Sequence, residues 1–374
     1  MTEIDAGRLR ESWAGVAANG GDTVAHWFYA HLFLHHPETR GLFAPSMDRQ
    51  RDRLVRSLGH IVSQVDQVDD LLPYLQDLGR DHRKFGALAD HYPAVGESLL
   101  ATVQHFSGAS WSDELAGQWS AAYRLVSTVM IEAAGEAARH QPAYWNARVT
   151  SVDRRTFDIA VVKVVTSEPY PYRPGQSCSV ELSDRRPRMW RWLTPANAPG
   201  STELEFHVRL VSGGPVSTAL VRSTEVGDSL RIGPPAGRLT LDGSTDRPLL
   251  LIAGGTGLAP MKALVAQLAR DGTGKRTSLY FGASTVREAY DSVDLERLNT
   301  AYEWLDVVTV VSDDPTWDGP RGLVGEVAMA DRDWSGHDVY VCGSPAMVAA
   351  TVKSVEAHGV PGDRVRYDEF SESS

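Results

Sequence analysis

The chain has few cysteines, no long apolar run and fewer basic than acidic residues. Its two cysteines, Cys178 and Cys342, lie far apart and form no zinc-binding or disulfide pattern, which favours a reducing, cytoplasmic location. No run of about 18 apolar residues is present, so the sequence predicts no membrane span. The N-terminal segment is acidic from Glu3 onward and lacks the apolar core of a secretion signal.

The charge balance and the length limit the classes of function and the number of domains. Lysine and arginine number 37 against 48 aspartates and glutamates, which gives a net charge of −11. A nucleic-acid-binding protein needs clustered basic residues to displace counterions, so nucleic acid is not the expected partner. At 374 residues the chain is too long for one ordinary core and suits two or three domains. No feature of the sequence points to an obligate protein partner.

The hydrophobic periodicity changes near residue 143. Up to about residue 140 apolar residues recur at helical spacing, most clearly at Trp119, Tyr123, Val126 and Met130, after a capping signal at Ser112. After Pro142 short β-branched runs follow, separated by proline and glycine. From about residue 247 strand-like and helical stretches alternate, which is typical of a doubly wound parallel sheet. The sequence predicts an all-α domain at residues 1–140, an antiparallel β domain at 143–243 and an α/β domain at 244–374.

One histidine of the helical part, His82, has neighbours that suit a metal ligand. A lone histidine on an amphipathic helix is more often a surface or core residue. Here Tyr29 and Phe43 precede it, and Gln50 and Leu54 lie at i and i+4 on one helix face. Tyr92 follows ten residues after the histidine.

The helical part resembles the globin domain of flavohaemoglobins over residues 1–140. The resemblance implies that His82 is the proximal ligand of haem b iron. Tyr29 and Gln50 then correspond to the distal polar residues, with Leu54 as a distal wall and Phe43 at the haem edge. A phenol donor beside iron-bound O₂ strengthens retention of that ligand.

The same resemblance implies a relay behind the proximal histidine. Tyr92 and Glu136 stand where the family pairs the second ring nitrogen of that histidine with a tyrosine and a glutamate. A carboxylate behind the imidazole makes it a stronger electron donor to iron, which favours redox chemistry over O₂ storage. The alternative for Glu136 is a solvated residue at a helix end.

The β part carries loops suited to phosphate groups. Glycines and hydroxyls in Gly213–Leu220 precede a short helix, and Gln176 and Ser177 follow a turn. This part resembles the FAD domain of the ferredoxin–NADP reductase family over residues 143–243, an antiparallel β-barrel. The resemblance implies FAD contacts at Gln176, Ser177, Gly214, Val216 and Ser217.

The flavin signature of that family, Arg-x-Tyr-Ser/Thr, corresponds to Arg191-Trp192-Leu193-Thr194. Arg191 suits the FAD pyrophosphate, and Thr194 suits a hydrogen bond near the reactive flavin nitrogen. Leu193 departs from the family, which stacks a tyrosine on the flavin at this position. We expect FAD to bind less tightly but still to bind, with Trp190 or Trp192 covering the ring.

The α/β part has a glycine-rich turn, Gly254-Gly255-Thr256-Gly257, between the buried run Leu249–Ala253 and a helix that includes Pro260. Such a turn alone is weak evidence, but its position is typical of a dinucleotide site. In the family, Cys342 and Gly343 lie beside the nicotinamide and Phe370 covers the flavin. The alternative for Cys342 is a buried small hydrophobe.

The choice between NADH and NADPH depends on charge at the ribose. Asp313 and Asp314 follow the strand that ends at Val311, and two carboxylates facing the ribose would repel a 2′-phosphate. Arg287 is the only nearby basic candidate, and it is next to Glu288. NADH is the preferred donor, with NADPH as the alternative.

The whole chain resembles a bacterial flavohaemoglobin. This implies an all-α globin, a β-barrel FAD domain and a doubly wound NAD domain in a nitric oxide dioxygenase. Electrons would pass from NAD(P)H through FAD to haem, where O₂ oxidises nitric oxide to nitrate. One alternative is a flavin and haem reductase for another electron acceptor, a branch that Leu193 could mark. The other is a haem-based gas sensor or oxygen carrier, although the sequence shows no signalling module.

Overall fold

Residues 4–369 are described by the computed structural model, apart from the side chain of Arg49. Phe370, the predicted flavin cover, therefore lies outside the described residues. The chain divides into two units, Met1–Tyr144 and Trp145–Ser374. Among the described residues no helix has the length and apolar character needed to cross a membrane.

The first unit is helical, as the 3.6-residue periodicity predicts. Asp5 and Ser112 cap two of its helices, because their side chains accept hydrogen bonds from the N–H groups of Arg8 and Leu115. The α-helices within residues 4–144 are α1 (Ala6–Gly20), α2 (Thr23–His35), α3 (Asp48–Ser63), α4 (Val68–His82), α5 (Tyr92–Ser107) and α6 (Asp113–His140).

The buried apolar residues of this unit form two separate clusters. The larger one contains Tyr29 and has Phe43 and Leu54 packed against it. The smaller one lies between α4 and α6 and has Leu78 and Tyr92 at its margin. A Cβ on Gly79 would stand 2.4 Å from the carbonyl oxygen of Met130, so this glycine allows α4 and α6 to pack closely.

The second unit begins with an antiparallel sheet of six strands in the order β4-β3-β6-β1-β2-β5. A bridge between Pro195 and Phe206 joins its two edges, so the sheet curls and closes. Alternate residues of the first strand are buried, as expected for a sheet with one face on a core. The strands are β1 (Trp145–Arg154), β2 (Ile159–Thr166), β3 (Ser177–Leu182), β4 (Trp190–Leu193), β5 (Glu203–Arg209) and β6 (Ser229–Ala236), with helix α7 (Pro215–Arg222) before β6.

A parallel sheet of five strands follows, in the order β11-β10-β7-β8-β9. Helices α8 and α9 contribute to the core on one face, and α10 and α11 to the core on the other. The strands are β7 (Leu249–Gly254), β8 (Thr277–Ala283), β9 (Leu305–Val311), β10 (Asp338–Gly343) and β11 (Val365–Glu369). The helices are α8 (Leu258–Asp271), α9 (Ser292–Ala301), α10 (Val324–Asp331) and α11 (Pro345–Ala357).

The strand order reverses between β7 and β10, because the chain adds β8 and β9 on one side and β10 and β11 on the other. Open α/β sheets bind ligands at such a switch point, outside the carboxyl ends of the strands. The predicted succession of a helical domain, an antiparallel β domain and a doubly wound α/β domain is confirmed.

Candidate functional site

The predicted distal residues of the helical unit lie together. The side chain of Tyr29 is buried on α2 and shares a hydrogen bond with the side chain of Gln50 on α3. The ring of Phe43 stands edge-on to the Tyr29 ring at 5.4 Å, and Leu54 packs against the same cluster. Burial raises the pKa of Tyr29 to about 12, although the hydrogen bond from Gln50 and the charge of Arg51 oppose the rise. The phenol is therefore neutral at physiological pH.

His82 is the last residue of α4, and its side chain is half-buried. Its Nδ1 lies 2.7 Å from the carbonyl oxygen of Leu78, one turn earlier. Because a carbonyl oxygen can only accept, Nδ1 carries the proton and Nε2 keeps its lone pair for a metal ion. Burial lowers the pKa of His82, against the effect of the Leu78 hydrogen bond, and so favours the neutral imidazole that metals bind.

Among the described residues, the predicted relay of Tyr92 and Glu136 behind His82 is not assembled. Tyr92 and Leu78 pack against the same apolar cluster, and the Tyr92 carbonyl accepts a hydrogen bond of 2.6 Å from the Tyr123 hydroxyl. Within residues 4–369 no hydrogen bond joins Tyr92 to His82. The carbonyl of Leu78 takes the place at Nδ1 that the sequence assigned to a tyrosine and glutamate pair.

Glu136 points elsewhere. Its exposed carboxylate accepts a hydrogen bond from His140 at 2.8 Å and forms an ion pair with Arg139. The buried residues in this part of α6 are Met130, Ala133 and Ala137, and position 136 lies off that stripe of the helix. The structure therefore does not bring Glu136 to His82, and the reading as a solvated residue near a helix end describes it better.

The donor set of this unit fits a haem. A haem iron needs one protein ligand, and a neutral histidine with an available Nε2 meets that need. The aromatic rings and phenol at Tyr29 and Phe43, and the Leu78 carbonyl behind the imidazole, are groups of the kind that a haem pocket uses.

A cleft of about 1400 Å³ lies within the second unit, between the closed sheet and the parallel sheet. It opens at the switch point between β7 and β10, where the fold predicts a ligand site. Among the predicted residues, those that line it are Ser177, Arg191, Trp192, Leu193, Thr194, Ser217, Gly254, Gly255, Thr256 and Gly343.

The flavin signature forms one wall of the cleft. Arg191 and Thr194 are buried there, and the Oγ1 of Thr194 has no hydrogen-bond partner within residues 4–369. Buried hydroxyl groups are almost always paired, so this one fits the acceptor or donor of a bound flavin. Trp192 lines the cleft and is 39% exposed, which makes it a better ring cover than Trp190.

The glycine loop before α7 is shaped by Ser217. Its hydroxyl accepts a hydrogen bond from the N–H of Val211 at 3.1 Å and donates one to the Gly214 carbonyl at 3.2 Å. A Cβ on Gly214 would stand 2.7 Å from this oxygen. Gly214 and Ser217 therefore hold the loop in place, while Val216 is buried in the core of the closed sheet.

Gln176 also acts on a turn rather than on the cleft, which it does not line. Its Oε1 accepts from the N–H of Arg173 at 2.9 Å, and its Nε2 donates to the Gly237 carbonyl at 3.4 Å. These bonds fix the backbone beside Ser177, which does line the cleft.

The glycine-rich turn after β7 depends on its glycines. Gly255 has a φ of +54°, and a Cβ on Gly257 would stand 2.3 Å from the carbonyl oxygen of Cys342. The turn therefore lies directly on β10 and presents its backbone to the cleft at the start of α8. Pro260 is buried within the first turn of α8 and does not line the cleft.

Cys342 is completely buried and is not among the residues that line the cleft, although Gly343 is. Burial, with the nearby charge of Asp368, raises the pKa of its thiol well above the ordinary value. The thiol is therefore neutral and packed in the core, as in the alternative reading of a small hydrophobe.

Arg209 is a charged residue of the cleft that the sequence analysis did not predict. Arg209 on β5 lies beside the glycine turn, because its Nη1 is 3.2 Å from where a Cβ on Gly255 would stand. Its guanidinium also reaches Asp158 at 2.9 Å and Glu288 at 3.4 Å. The alternation of polar residues along β5 was the only signal for this arginine.

The carboxylates predicted to read the ribose do not line the cleft. Asp314 accepts hydrogen bonds from the N–H groups of Val286 and Thr316, and Asp313 accepts one from the Ser312 hydroxyl. Glu288 lines the cleft instead, close to the end of β8, where its Oε2 accepts from the N–H of Ser284 at 3.2 Å.

Comparison with known proteins agrees with this division. Three family descriptions match successive parts of the chain: a globin over residues 26–130, an oxidoreductase FAD-binding domain over 146–241 and an oxidoreductase NAD-binding domain over 251–353. The flavohemoprotein of Bordetella parapertussis is 27% identical in an alignment that covers 99% of this chain and 98% of that protein.

Two further likenesses concern the reductase and the fold. The chain is 32% identical over 245 residues to the ferredoxin–NAD(P)(+) reductase component of the naphthalene 1,2-dioxygenase/salicylate 5-hydroxylase systems of a Ralstonia species, covering 65% of this chain and 74% of that protein. The flavohemoglobin of Malassezia yamatoensis, solved with bound FAD and heme, has a TM-score of 0.75 at 18% identity. The superposition covers 97% of this chain and 99% of the Malassezia chain, and it shows a likeness of fold.

A globin followed on one chain by FAD- and NAD-binding domains defines an NAD(P)H-dependent oxidoreductase with a haem and a flavin. The chain belongs to the flavohaemoglobin family. The prediction of haem, FAD and a nicotinamide nucleotide as cofactors is confirmed, while the roles of individual site residues remain predictions.

Proposed function

We propose that the protein is a nitric oxide dioxygenase, in which one NADH and two O₂ convert two nitric oxide molecules to two nitrates, NAD⁺ and a proton. The observation that carries the proposal is the Tyr29–Gln50 pair in the same helical unit as a neutral His82, on a chain that also has a flavin and nucleotide cleft. The whole-length likeness to flavohemoproteins supports it. The domain limits 1–140, 143–243 and 244–374 are part of the proposal.

On the haem side the residues bind, orient and exclude water. His82 would hold the iron through Nε2, oriented by the hydrogen bond from Nδ1 to the Leu78 carbonyl. Tyr29, oriented by Gln50, would donate a hydrogen bond to a distal gas ligand because its phenol stays protonated. Phe43 and Leu54 would keep that side apolar. The proposal assigns no relay role to Glu136.

On the reductase side the residues position two nucleotides. The glycine turn and the start of α8 would receive the NADH phosphates, with Arg209 adding a positive charge beside them. Arg191 would hold the FAD pyrophosphate, and the Thr194 hydroxyl, which has no partner among residues 4–369, would bond the flavin. When bound, FAD accepts a hydride and releases single electrons, and haem supplies O₂ binding and one-electron chemistry.

The proposal is tested by aerobic consumption of nitric oxide in the presence of NADH, with haem and FAD loaded. We expect consumption to depend on NADH and O₂ and to yield nitrate. Turnover no faster than that of free haem would reject the dioxygenase function. The proposed substrates are O₂ and nitric oxide, and the proposed location is the cytoplasm, where NADH is available.

A second candidate is a reductase that serves another electron acceptor. Over 65% of its length the chain is 32% identical to the Ralstonia reductase component, whereas over 99% of its length it is 27% identical to the Bordetella flavohemoprotein. The higher identity to a reductase that serves a separate acceptor supports this alternative. Faster NADH-driven reduction of an added iron–sulfur acceptor than of the protein's own haem would support it. Failure of NADH to reduce the haem at all would favour a gas sensor or carrier.

Leu193→Tyr is expected to tighten FAD binding, and Thr194→Val to weaken it. An aromatic ring against the flavin adds about 0.5–1.5 kcal/mol, or roughly three- to tenfold in affinity. Loss of the Thr194 hydrogen bond removes about 1 kcal/mol, or roughly fivefold in affinity.

Quenching of flavin fluorescence on titration measures the affinity of both variants for FAD. The control is Thr300→Val, because Thr300 is exposed on α9. Protein loaded with excess FAD that keeps no flavin absorbance after desalting would contradict FAD binding itself.

Glu288→Gln is expected to raise the ratio of kcat/KM for NADPH to that for NADH about tenfold or more. A carboxylate near the end of β8 suits the ribose hydroxyls of NADH and repels a 2′-phosphate. Its removal also releases Arg209 from an ion pair beside the cleft. The matched control is Asp313→Asn, which removes a carboxylate that the sequence favoured but that does not line the cleft. A shift in the control but not in Glu288→Gln would restore the sequence-based assignment.

A further inference from the structure

Three side chains of β5, Glu205, His207 and Arg209, lie at alternate positions and so share one face of the strand. A polar face of this kind is normally solvated. Here it is covered, since the His207 side chain is fully buried and that of Glu205 is 17% exposed. The neighbouring residues Ile159 and Val161 of β2 pack in one core with α8 and α9.

A chain of hydrogen bonds runs across this junction from the flavin-binding sheet to the nucleotide-binding domain. The Nε2 of His207 is 2.9 Å from Glu205 Oε1, and its Nδ1 is 2.7 Å from the Tyr290 hydroxyl. Lys262 on α8 reaches the same Glu205 oxygen at 3.4 Å and Asp291 Oδ2 at 2.7 Å. We call Glu205, His207, Lys262, Tyr290 and Asp291 the Glu205 network.

The protonation states give this network one direction. Burial alone would raise the pKa of Glu205, but the hydrogen bond from His207 and the charge of Lys262 hold it well below its usual range. Burial raises the pKa of Tyr290 far above its ordinary value. An ionised carboxylate can only accept, so His207 Nε2–H donates to Glu205, and the Tyr290 hydroxyl bonds to the other ring nitrogen, Nδ1. His207 is therefore held at both ring nitrogens and Lys262 by two carboxylates, which makes the junction rigid rather than adjustable.

The network lies directly behind the cleft. His207 and Arg209 line it from the flavin side, and Glu288, two residues before Tyr290, lines it from the nucleotide side. Lys262 belongs to α8, which begins where the glycine turn ends. The network therefore joins β5 to the helix that begins at the nucleotide turn. The Arg155 side chain adds a second tie from the sheet to Asp291 at 3.4 Å and Asp294 at 3.1 Å.

We propose that the Glu205 network is a clamp that fixes the nicotinamide nucleotide against the flavin at hydride-transfer distance, with His207 as a positioning residue. Hydride transfer requires the donor carbon and the acceptor nitrogen in contact, and a displacement of about 1 Å can cost about a hundredfold in rate. The clamp acts on the transfer step and leaves the affinity for each nucleotide to the residues that touch it.

Lys262→Met tests the clamp in stopped-flow reduction of the flavin by NADH under anaerobic conditions. We expect the limiting rate to fall about tenfold or more, while the Kd for NADH changes less than about threefold. The primary isotope effect with 4-deuterated NADH is expected to change, because the donor–acceptor distance changes. A merely structural role would not alter this isotope effect.

Arg247→Met is the matched control. It removes the cation of an ion pair of 2.9 Å to the buried Asp338, at the amino end of β10 and away from the cleft. We expect a similar loss of thermal stability with a limiting rate within about twofold of the native value. A native rate in Lys262→Met, or an equal fall in both variants, would overturn the clamp.

Tyr290→Phe keeps the test decisive if Lys262→Met does not fold, because it deletes one hydroxyl and leaves no buried charge. Its limiting rate is expected to fall about threefold or more, and an unchanged rate overturns the proposal. The inference rests on the proposed hydride transfer from NADH to FAD. Absence of flavin reduction in the native protein would reject that function, whereas native reduction with unaffected variants would reject the clamp alone.

Discussion

Replacing His82 with alanine is expected to lower NADH-dependent consumption of nitric oxide about a hundredfold or more, while NADH still reduces the flavin. His82 is the only residue proposed to hold the iron, and its Nε2 is kept available by the bond from Nδ1 to the Leu78 carbonyl. Loss of even a supporting partner of a metal ligand typically costs about 10–100-fold, so loss of the ligand should cost at least that. The haem absorbance after desalting measures haem retention, and the rate of ferricyanide reduction by NADH measures the flavin and nucleotide site separately.

His140→Ala is the control for this experiment. It removes a histidine from the same helical unit, but one that is exposed and bonded to Glu136. We expect native haem content and native consumption of nitric oxide. His82→Gly with added imidazole is expected to recover part of the haem spectrum, since free imidazole can enter the space of the lost ring. Full haem retention and full activity in His82→Ala would show that the iron ligand lies elsewhere.

The substitution Glu136→Gln tests whether the Glu136 carboxylate supports the His82 imidazole. If its carboxylate supported His82, Glu136→Gln would weaken the electron donation of the imidazole and shift the haem spectrum. The structure predicts no shift, because the carboxylate pairs with Arg139 and His140 and the His82 Nδ1 bonds a backbone carbonyl. A backbone acceptor cannot be recognised in sequence, because every residue carries one.

The fold was predictable where one physical pattern dominated. Helix α6 buries one face, so its apolar residues recur at the helical period. Strand β7 is buried on both faces, so its apolar residues form a continuous run. The distal set was predictable for a similar reason, since Tyr29 and Gln50 stand on two helices that pack together. Resemblance to a known family supplied the roles that periodicity could not.

The remaining features depend on contacts between distant parts of the chain. The alternation of Glu205, His207 and Arg209 indicates a solvated face by local rules, and only the packing of α8 and α9 against it makes it a junction. The sequence favoured Asp313 and Asp314, rather than Glu288, as the carboxylates near the ribose. The bend of the chain after β8 turns Glu288 toward the cleft, and Asp313 stays outside it.

Replacing Gly257 with alanine is expected to abolish flavin reduction by NADH, with a fall of about a hundredfold or more. The new Cβ would stand 2.3 Å from the carbonyl oxygen of Cys342, 2.6 Å from its carbonyl carbon and 2.9 Å from the nitrogen of Gly343. All three are backbone atoms of β10, so no side-chain rotation can relieve the contact. The turn and the start of α8 must move away from β10, which displaces the N–H groups proposed to bind the nucleotide phosphates.

The effect of Gly257→Ala is expected to be confined to the nucleotide turn. Overpacking of this kind costs about 1–3 kcal/mol, so the variant should fold with a lowered melting temperature and keep its haem and FAD. Gly243→Ala is the control, because in the described part of the chain no atom beyond its sequence neighbours lies within 4 Å of the added Cβ, and its backbone is outside the left-handed region. Stopped-flow traces of both variants, taken at equal flavin occupancy, decide the result. A native rate in Gly257→Ala would mean that close packing of this turn on β10 is not needed for hydride transfer, and it would remove the phosphate-binding role proposed for the turn.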